Sequence, residues 1–263
     1  MSLGTPAPWD AVAQGYGETT RETLAVFAAR ALDWADPPST GALLDVACGP
    51  GTLTVLAAER VSRVLALDFS ANMVARCRAD TSGFEHVEVR RADCQHLQLD
   101  EVFDVATSMF GLMFFPDRAA GLASMYRALR PGGVAVVSSW PPFERSSAMK
   151  HAMMALSAAF PDAPKGDDEP GPMASANTLS DELSQAGLCD VQVREEVYSF
   201  TCSVESFWHG IAVGFAPLAL ARQTMSSEVW RAAEQRGLAW LRQHHDPHHP
   251  LNYVALLGKG VRP

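Results

Sequence analysis

The sequence predicts an α/β fold, built on a doubly wound and mostly parallel sheet with helices on both faces. In residues 40–140, short apolar runs alternate with helix-like segments, as is typical of parallel sheets. Acids stand at the ends of three of these runs. They are Asp45, Asp68 and Asp93, and they are spaced 23 and 25 positions apart. The chain of 263 residues is long enough to bury a full core.

The first predicted strand, Ala42–Ala47, is an apolar run that leads into Cys48-Gly49-Pro50-Gly51. Its apolar and β-branched residues are typical of a strand that is buried on both faces. The two glycines let the chain turn sharply, and they let a ligand approach main chain that carries no Cβ. A helix predicted from Thr52 would direct free N–H groups into that space, so this turn is a candidate nucleotide-type site.

The other core elements follow from the same alternation of patterns. We expect further strands at Val64–Leu67, Val87–Arg91, Phe103–Met109 and Val134–Trp140. Helices are expected at Glu18–Ala35, at Thr52–Arg60, after the N-cap Ser70 and after Asp117. Pro131-Gly132-Gly133 is expected to end the last of these helices.

The second half of the chain has a different character. Its predicted elements are a helix at Ser147–Phe160, a polar loop at Pro161–Pro172, a helix at Leu179–Ala186, a strand at Val191–Phe200, a mostly helical segment at Ser203–His245 and a last strand at Asn252–Gly258. We therefore expect a single domain over residues 1–263. Its core comprises residues 40–140, 178–202 and 251–260, with cap insertions at 141–177 and 203–250. Residues 1–39 would form an N-terminal helical segment over the site.

Composition excludes several classes of function. The net charge of −9 and the lack of a Lys/Arg-rich run argue against nucleic-acid binding, which needs clustered positive charge. The longest apolar stretches have the length of strands, so no membrane span is expected, and the N-terminus lacks a secretory signal pattern. Five cysteines without a CxxC spacing are typical of a reduced, cytoplasmic protein.

At these residues the sequence resembles the class I S-adenosylmethionine (SAM)-dependent methyltransferases, in particular the UbiE-like group that acts on small molecules. The resemblance is strong over residues 9–140 and weak in the predicted cap. The matching pieces are Asp45–Thr52, Ala66–Met73, Arg91–Cys94, Phe103–Leu112 and Leu129–Gly133. The resemblance implies a Rossmann-like, seven-stranded sheet with the last strand antiparallel. It also implies SAM as the cofactor and S-adenosylhomocysteine as the product.

The candidate cofactor residues lie at strand ends, where open α/β sheets bind ligands. The Asp68 carboxylate is placed to accept from the ribose hydroxyls, and Asp93 from the adenine amino group. Phe69 and Met73 offer apolar faces to the purine. The full candidate set is Asp45, Ala47, Cys48, Gly49, Gly51, Asp68, Phe69, Met73, Asp93, Cys94, Ser108 and Met109.

The acceptor side is less well defined. Tyr16, Phe110, Met113 and His209 are candidates for the substrate pocket, and the Met and aromatic content predicts a small, apolar or aromatic acceptor. In similar proteins an aromatic residue near the N-terminus folds over the site, although Trp9 and Tyr16 are equally consistent with surface positions. His86, His96, His151 and His209 are candidate bases by residue type only, so no catalytic residue is assigned.

Two other functions compete with methyl transfer. A protein that binds SAM without catalysis, acting in regulation or interaction, is the main alternative, because a fold does not establish chemistry. An NAD(P)-dependent oxidoreductase is disfavoured, because Thr54 occupies the third glycine position of the dinucleotide fingerprint. The His-rich tract 244–249 is interrupted by Pro247, so no metal site is expected. The Trp-bearing cap helices are candidates for a homodimer interface.

Overall fold

A seven-stranded sheet organises the described residues, 3–19, 21–99, 102–163 and 171–263 of this computed structural model. The strands are β1 (Ala42–Val46), β2 (Arg63–Asp68), β3 (Val87–Arg91), β4 (Phe103–Met109), β5 (Leu129–Ser139), β6 (Cys189–Phe200) and β7 (Leu251–Val261). Their order is β3-β2-β1-β4-β5-β7-β6. Strand β7 runs antiparallel to both of its neighbours, whereas β1 to β5 pair in parallel. The predicted fold class is confirmed, including the antiparallel last strand.

Helices cover both faces of this sheet. They are α1 (Pro6–Thr19), α2 (Arg21–Ala35), α3 (Thr52–Ala58), α4 (Ala71–Asp80), α5 (Arg118–Ala128), α6 (Ser147–Ala159), α7 (Ala176–Gln185), α8 (Val204–Gly214), α9 (Ala216–Thr224) and α10 (Ser227–His244). Successive residues of a strand point to opposite faces. Leu43 of β1 accordingly packs in a core cluster with residues of α2 and α3, and Leu44 in a second cluster with residues of α5 and α7.

The N-terminus departs from the sequence prediction. One helix was expected at Glu18–Ala35, but the structure has two, and the prediction missed α1. Pro6, Gly15 and Gly17 lower the helix propensity of α1, and its sequence shows no strong apolar stripe. Tertiary packing supports α1 instead, because it lies against α4 and α8. A Cβ added to Gly15 would lie only 2.4 Å from Cγ1 of Val213 in α8.

Strand β5 begins earlier than predicted. Leu129 already pairs with Phe103 of β4, so Pro131-Gly132-Gly133 lies inside the strand and does not precede it. A register shift between Phe103 and Val105 accommodates these residues. Gly132 adopts a φ of +79° and its N–H donates to the carbonyl of Arg262 at 2.7 Å.

The predicted helical segment Ser203–His245 is three helices, α8, α9 and α10. Phe215 and Met225 interrupt it in extended conformation, and Ser226 caps α10 by accepting from the Val229 N–H. Trp208 and Trp230 pack in one apolar cluster with residues of α6, α8 and α10. Leu251 belongs to this cluster, which therefore meets the sheet at the first residue of β7.

Within the described ranges, no single helix has both the length and the apolar character needed to cross a bilayer. Helices α8 and α9 satisfy that test only when taken together, and they are bent by 80° relative to each other.

Candidate functional site

A pocket lies at the carboxyl ends of β1, β2 and β4, where the sequence predicts a ligand site. It encloses about 920 Å³, including space that is open to solvent. The pocket has a polar side, formed at the ends of β1 to β3, and an apolar side, formed by α1, α2 and the end of β4.

The two glycines of the first turn have different roles. Gly49 has a φ of +55°, and a Cβ added to it would meet no atom within 4 Å, so the pocket reaches its main chain directly. Gly51 has a φ of +89°, and a Cβ there would lie 2.7 Å from Sγ of Cys77 on α4. Gly49 therefore keeps the pocket open, whereas Gly51 lets the turn pack against α4.

Asp68 at the end of β2 is held by main-chain donors. One carboxylate oxygen accepts from the Gly49 N–H and the other from the Ser70 N–H, both at 2.9 Å. Only 5% of Asp68 is exposed, and this burial raises its pKa to about 6. A carboxylate has about four acceptor positions, so Asp68 can still accept from a ligand.

Asp45 in β1 is a second buried carboxyl group that lines the pocket. Its oxygens accept from the hydroxyls of Thr54, at 2.6 Å, and Thr107, at 3.4 Å. Burial raises the pKa of Asp45 to about 7, despite these hydrogen bonds. Neither Asp45 nor Asp68 forms a salt bridge with a basic side chain within the described part of the chain. A cationic ligand would stabilise the charged form of both.

Two non-glycine residues that line the pocket adopt left-handed backbone conformations. Ala47 follows β1 with a φ of +55°, and Phe110 follows β4 with a φ of +56°. The Phe110 N–H donates to Oγ of Ser138 at 2.8 Å, which fixes that conformation. A Cβ added to Gly111 would lie 2.5 Å from Cβ of Ala47, so the two strand ends pack closely together. Such strain is concentrated at ligand sites.

The apolar side of the pocket is largely aromatic. The Phe110 ring stacks on Trp140, with centroids 4.0 Å apart, and meets Phe27 edge-on at 5.8 Å. Trp9 from α1 lies 5.1 Å from the ring of Phe114. Leu24, Met109 and both Phe114 and Phe115 complete this side.

Most of the predicted cofactor residues lie together in the pocket wall. They are Asp45, Ala47, Cys48, Gly49, Asp68, Phe69, Met73, Asp93, Cys94 and Met109. Asp93 is exposed, and it accepts from the Gln95 N–H at 2.9 Å. Burial raises the pKa of the Cys94 thiol to about 12, so this group is neutral at physiological pH.

Gly51 and Ser108 lie outside the wall. Gly51 is turned towards Cys77, as described above. Ser108 is fully buried, and its hydroxyl has no hydrogen-bond partner among the described residues. The alternation of side chains along β4 explains the difference, because Met109 faces the pocket and its neighbour faces away.

Of the residues predicted to contact the acceptor, some line the pocket and others do not. Phe110 lines the pocket, but Met113 packs behind it, against the cluster of Phe27, Phe110 and Ala255. His209 lies on the exposed face of α8, outside the pocket wall. Tyr16 belongs to α1, but its side chain lies outside the described residues.

Sequence reasoning missed several residues of the wall, among them Leu24, Ala28, Thr52, Gln95 and Pro116. Thr52 carries a buried hydroxyl without a hydrogen-bond partner in the described ranges, at the start of α3. The position of Thr52, directly after the glycine turn, is a sequence signal that could have identified it as a pocket residue. The others come from helices or loops that carry no distinctive motif.

The His-rich tract is built around one buried ring. His245 is 6% exposed, stacks on Phe207 and hydrogen bonds the Cys202 carbonyl through Nε2 at 2.9 Å. Across the described residues, no group of three or more His, Cys, Asp or Glu side chains is placed to hold a metal ion.

Comparison with known proteins assigns the segment that builds this pocket. Residues 44–137 match the family model described as a methyltransferase domain. This segment is a methyltransferase domain. It contains β2 to β4, most of β1 and β5, and the glycine turn, so it supplies the pocket wall from Asp45 to Pro116. The predicted resemblance to the class I SAM-dependent methyltransferases is confirmed for this domain.

Curated relatives match the methyltransferase domain over a limited length. The chain is 37% identical to the demethylmenaquinone methyltransferase of Staphylococcus epidermidis over 97 residues, which are 35% of this chain and 40% of that protein. It is 37% identical to the enzyme of that name from Thermus thermophilus over 118 residues, which are 43% of this chain and 53% of that protein. The chain thus spans about half the length of these relatives or less.

Solved structures extend the likeness to the whole fold. A SAM-dependent methyltransferase from Thermotoga maritima superposes with a TM-score of 0.58, covering 98% of this chain and 99% of that chain. The two sequences are 15% identical, so this similarity concerns the fold alone.

Proposed function

We propose that the chain is a SAM-dependent methyltransferase that transfers a methyl group to a small, apolar or aromatic acceptor. One observation carries the proposal: two buried carboxyl groups, Asp45 and Asp68, line a pocket that reaches the bare main chain of Gly49. The segment that matches the methyltransferase family model includes all three of these residues.

The polar side of the pocket fits SAM chemically. The Asp68 carboxylate has free acceptor positions for ribose hydroxyls, and Gly49 leaves room for the ligand beside it. Asp93 and Cys94 stand at the end of β3, where the sequence predicts the adenine. SAM carries a positive sulfur, which would stabilise the charged forms of Asp45 and Asp68.

The apolar side supports the choice of acceptor. Leu24, Met109, Phe110 and Phe114 surround this part of the pocket. Aromatic walls favour flat, apolar molecules. The demethylmenaquinone methyltransferases among the relatives act on a quinone, by their name, so a quinone or phenol is the acceptor class that we propose first.

Methyl transfer is an in-line displacement, and the bound SAM supplies a methyl group on a good leaving group. The protein then has to align the acceptor with that methyl group and exclude water. Met109 and Phe110 would do so at the end of β4, because the hydrogen bond to Ser138 and the stacking on Trp140 hold Phe110 in place. Among the described residues, those of α6, α8, α9 and α10 do not line this pocket, so the cap over the acceptor stays a prediction.

Calorimetric titration with S-adenosylhomocysteine tests the cofactor site first. The wild-type protein should bind it saturably, and Asp68→Ala should lose at least about 100-fold in affinity, because the loss of several hydrogen bonds to a charged group costs roughly 3 kcal/mol or more. Asp33→Ala is the matched control, because Asp33 is an exposed aspartate of α2 that pairs with Arg60. A wild type that fails to bind while folded would contradict the proposal.

A panel of acceptors then tests the reaction. Hydrophobic phenols and reduced quinones should give acceptor-dependent S-adenosylhomocysteine and a product heavier by one methyl group, both measurable by mass spectrometry. Matched polyols and amino acids should give neither. Binding without turnover on any acceptor would favour the non-catalytic alternative, and a dinucleotide that raises the Tm when SAM does not would favour an oxidoreductase. The cytoplasmic location and a homodimer through the cap helices stay predictions.

A further inference from the structure

Helix α1 is fastened to the first turn of α4 by Asp10. One carboxylate oxygen of Asp10 accepts from the Ser70 hydroxyl at 2.6 Å and from the Asn72 N–H at 3.0 Å. In return, the Asn72 side-chain amide donates to the Asp10 carbonyl at 2.8 Å. Ser70 is the N-cap of α4 and accepts from the Met73 N–H. Asp10 therefore acts as a second cap from another helix, at the end where the helix dipole favours negative charge.

The charge of Asp10 fits this role. Partial burial by itself would raise its pKa, but the hydrogen bonds from Asn72 and Ser70, together with the nearby Arg91, lower the pKa overall. Asp10 is therefore a carboxylate at neutral pH, and its pKa is shifted in the direction opposite to those of Asp45 and Asp68.

This clamp reaches the predicted cofactor site through Ser70. The Ser70 N–H donates to Asp68 while its hydroxyl donates to Asp10, so one residue connects the two carboxyl groups. The bond to Asp68 comes from the main chain of Ser70, so it stays in place when the Ser70 hydroxyl loses Asp10.

Trp9 is the neighbour of Asp10 in α1, and it lines the pocket. Its indole N–H donates to the Leu3 carbonyl at 2.8 Å, and its ring lies 5.1 Å from that of Phe114. On its other side it packs against a cluster that includes Met73, the first buried side chain of α4. The direction of the Trp9 ring thus depends on how α1 sits on α4.

We propose that Asp10 is a positioning residue, which clamps α1 to α4 and so holds the Trp9 ring as a wall of the pocket. In that place the ring contacts the nucleoside part of the cofactor, between the Met73 side and the Phe114 side. This inference rests on the proposed function, because it assumes that the pocket binds SAM.

The test is a double-mutant cycle that is read by calorimetric titration with S-adenosylhomocysteine. Trp9→Ala should weaken binding roughly 3- to 10-fold, as expected for the loss of one aromatic contact. Asp10→Ala should weaken it by a similar factor. Together they should lose no more than Trp9→Ala alone, because Asp10 acts through Trp9. Asp10→Asn keeps an oxygen that can accept both bonds, so it should bind within about two-fold of the wild type.

Asp33→Ala is the control for removing a helical aspartate, and thermal unfolding checks that each variant is folded. If Asp10→Ala does not fold, Asn72→Ala replaces it in the same cycle, because that change removes only one bond of the clamp. Wild-type affinity in Trp9→Ala would contradict the claim that the Trp9 ring contacts the cofactor. Additive losses of affinity in the double variant would contradict the positioning role of Asp10. A wild-type protein that binds no S-adenosylhomocysteine would instead refute the proposed function.

Discussion

The two halves of the molecule are built from different kinds of residue. Up to Trp140, the chain buries carboxyl groups at strand ends, and Asp45 and Asp68 do so without basic partners in the described ranges. Beyond it, α6, α8 and α10 bury apolar side chains around Trp208 and Trp230. The match to the methyltransferase family model, residues 44–137, lies within the first half. Ligand chemistry therefore constrains the first half, whereas packing constrains the second.

The two glycines of the first turn give the sharpest way to separate ligand binding from packing. Gly51→Ala forces a Cβ into Cys77 at a φ of +89°. We expect it to destabilise the protein by about 2–5 kcal/mol, through strain and overpacking, in urea unfolding.

Gly49→Ala is the matched variant in the same turn. Its φ of +55° adds about 1 kcal/mol of strain, but the new Cβ meets no protein atom within 4 Å. It should fold and yet bind S-adenosylhomocysteine at least about 10-fold more weakly, because the methyl group occupies the pocket. Unchanged affinity would show that the ligand does not approach Gly49.

A pH titration sharpens the comparison for the buried acids. The pKa of Asp45 is about 7 in the folded protein and about 4 in an unfolded chain. Between these values the folded state binds more protons, so the contribution of Asp45 to stability is present below pH 4 and is lost as the pH rises to 7. The ligand-free protein should therefore lose stability over this window.

Asp45→Asn should remove the Asp45 part of that loss, because the amide oxygen still accepts from the Thr54 hydroxyl and carries no charge. The part due to Asp68, whose pKa is about 6, should stay. We expect the variant to gain about 1–3 kcal/mol over the wild type between pH 4.5 and 7.5 in urea unfolding without ligand. Parallel curves for the two proteins would contradict the raised pKa.

The packing of the second half is tested by a glycine in α10. A Cβ at Gly237 would lie 2.2 Å from the Trp208 ring, so Gly237→Ala should cost about 1–3 kcal/mol of stability. The affinity for S-adenosylhomocysteine should stay within about two-fold. Gly210→Ala in α8 is the control, because no atom lies within 4 Å of its Cβ, and it should stabilise by about 0.5–1 kcal/mol. A loss of affinity in Gly237→Ala would show that the two halves are coupled.

Sequence patterns were sufficient where chemistry and local geometry coincide. The acids at the ends of β1, β2 and β3 and the glycine turn identified both the sheet and most of the polar pocket wall. The same patterns could not find α1, because its helix depends on contacts with α4 and α8 that lie far away in sequence.

The apolar side of the pocket was harder to predict for a related reason. An aromatic residue such as Phe114 or Met113 has the same local signal whether it lines a pocket or packs behind it. Only the tertiary structure separates Phe114, which lines the wall, from Met113, which does not. Leu24 and Ala28 belong to the regular apolar face of α2, so nothing in their spacing marks them as ligand contacts.

The smallest expected effect concerns two neighbouring serines at the end of β5. Ser138 and Ser139 are both fully buried, and their side chains point to opposite faces. Ser138 accepts from the Phe110 N–H at 2.8 Å, and Ser139 donates to the Met173 carbonyl at 2.7 Å. Each change to alanine leaves one buried main-chain group without a partner, so each should cost about 1 kcal/mol of stability in urea unfolding.

Only Ser138→Ala should also affect the site. Phe110 would lose the bond that holds its left-handed backbone beside the pocket, so affinity for S-adenosylhomocysteine should fall about 2- to 5-fold, whereas Ser139→Ala should bind as the wild type does. Equal affinities in both variants would mean that the stacking on Trp140 alone fixes Phe110. The boundary between ligand chemistry and packing would then lie at Phe110, and would not extend into β5.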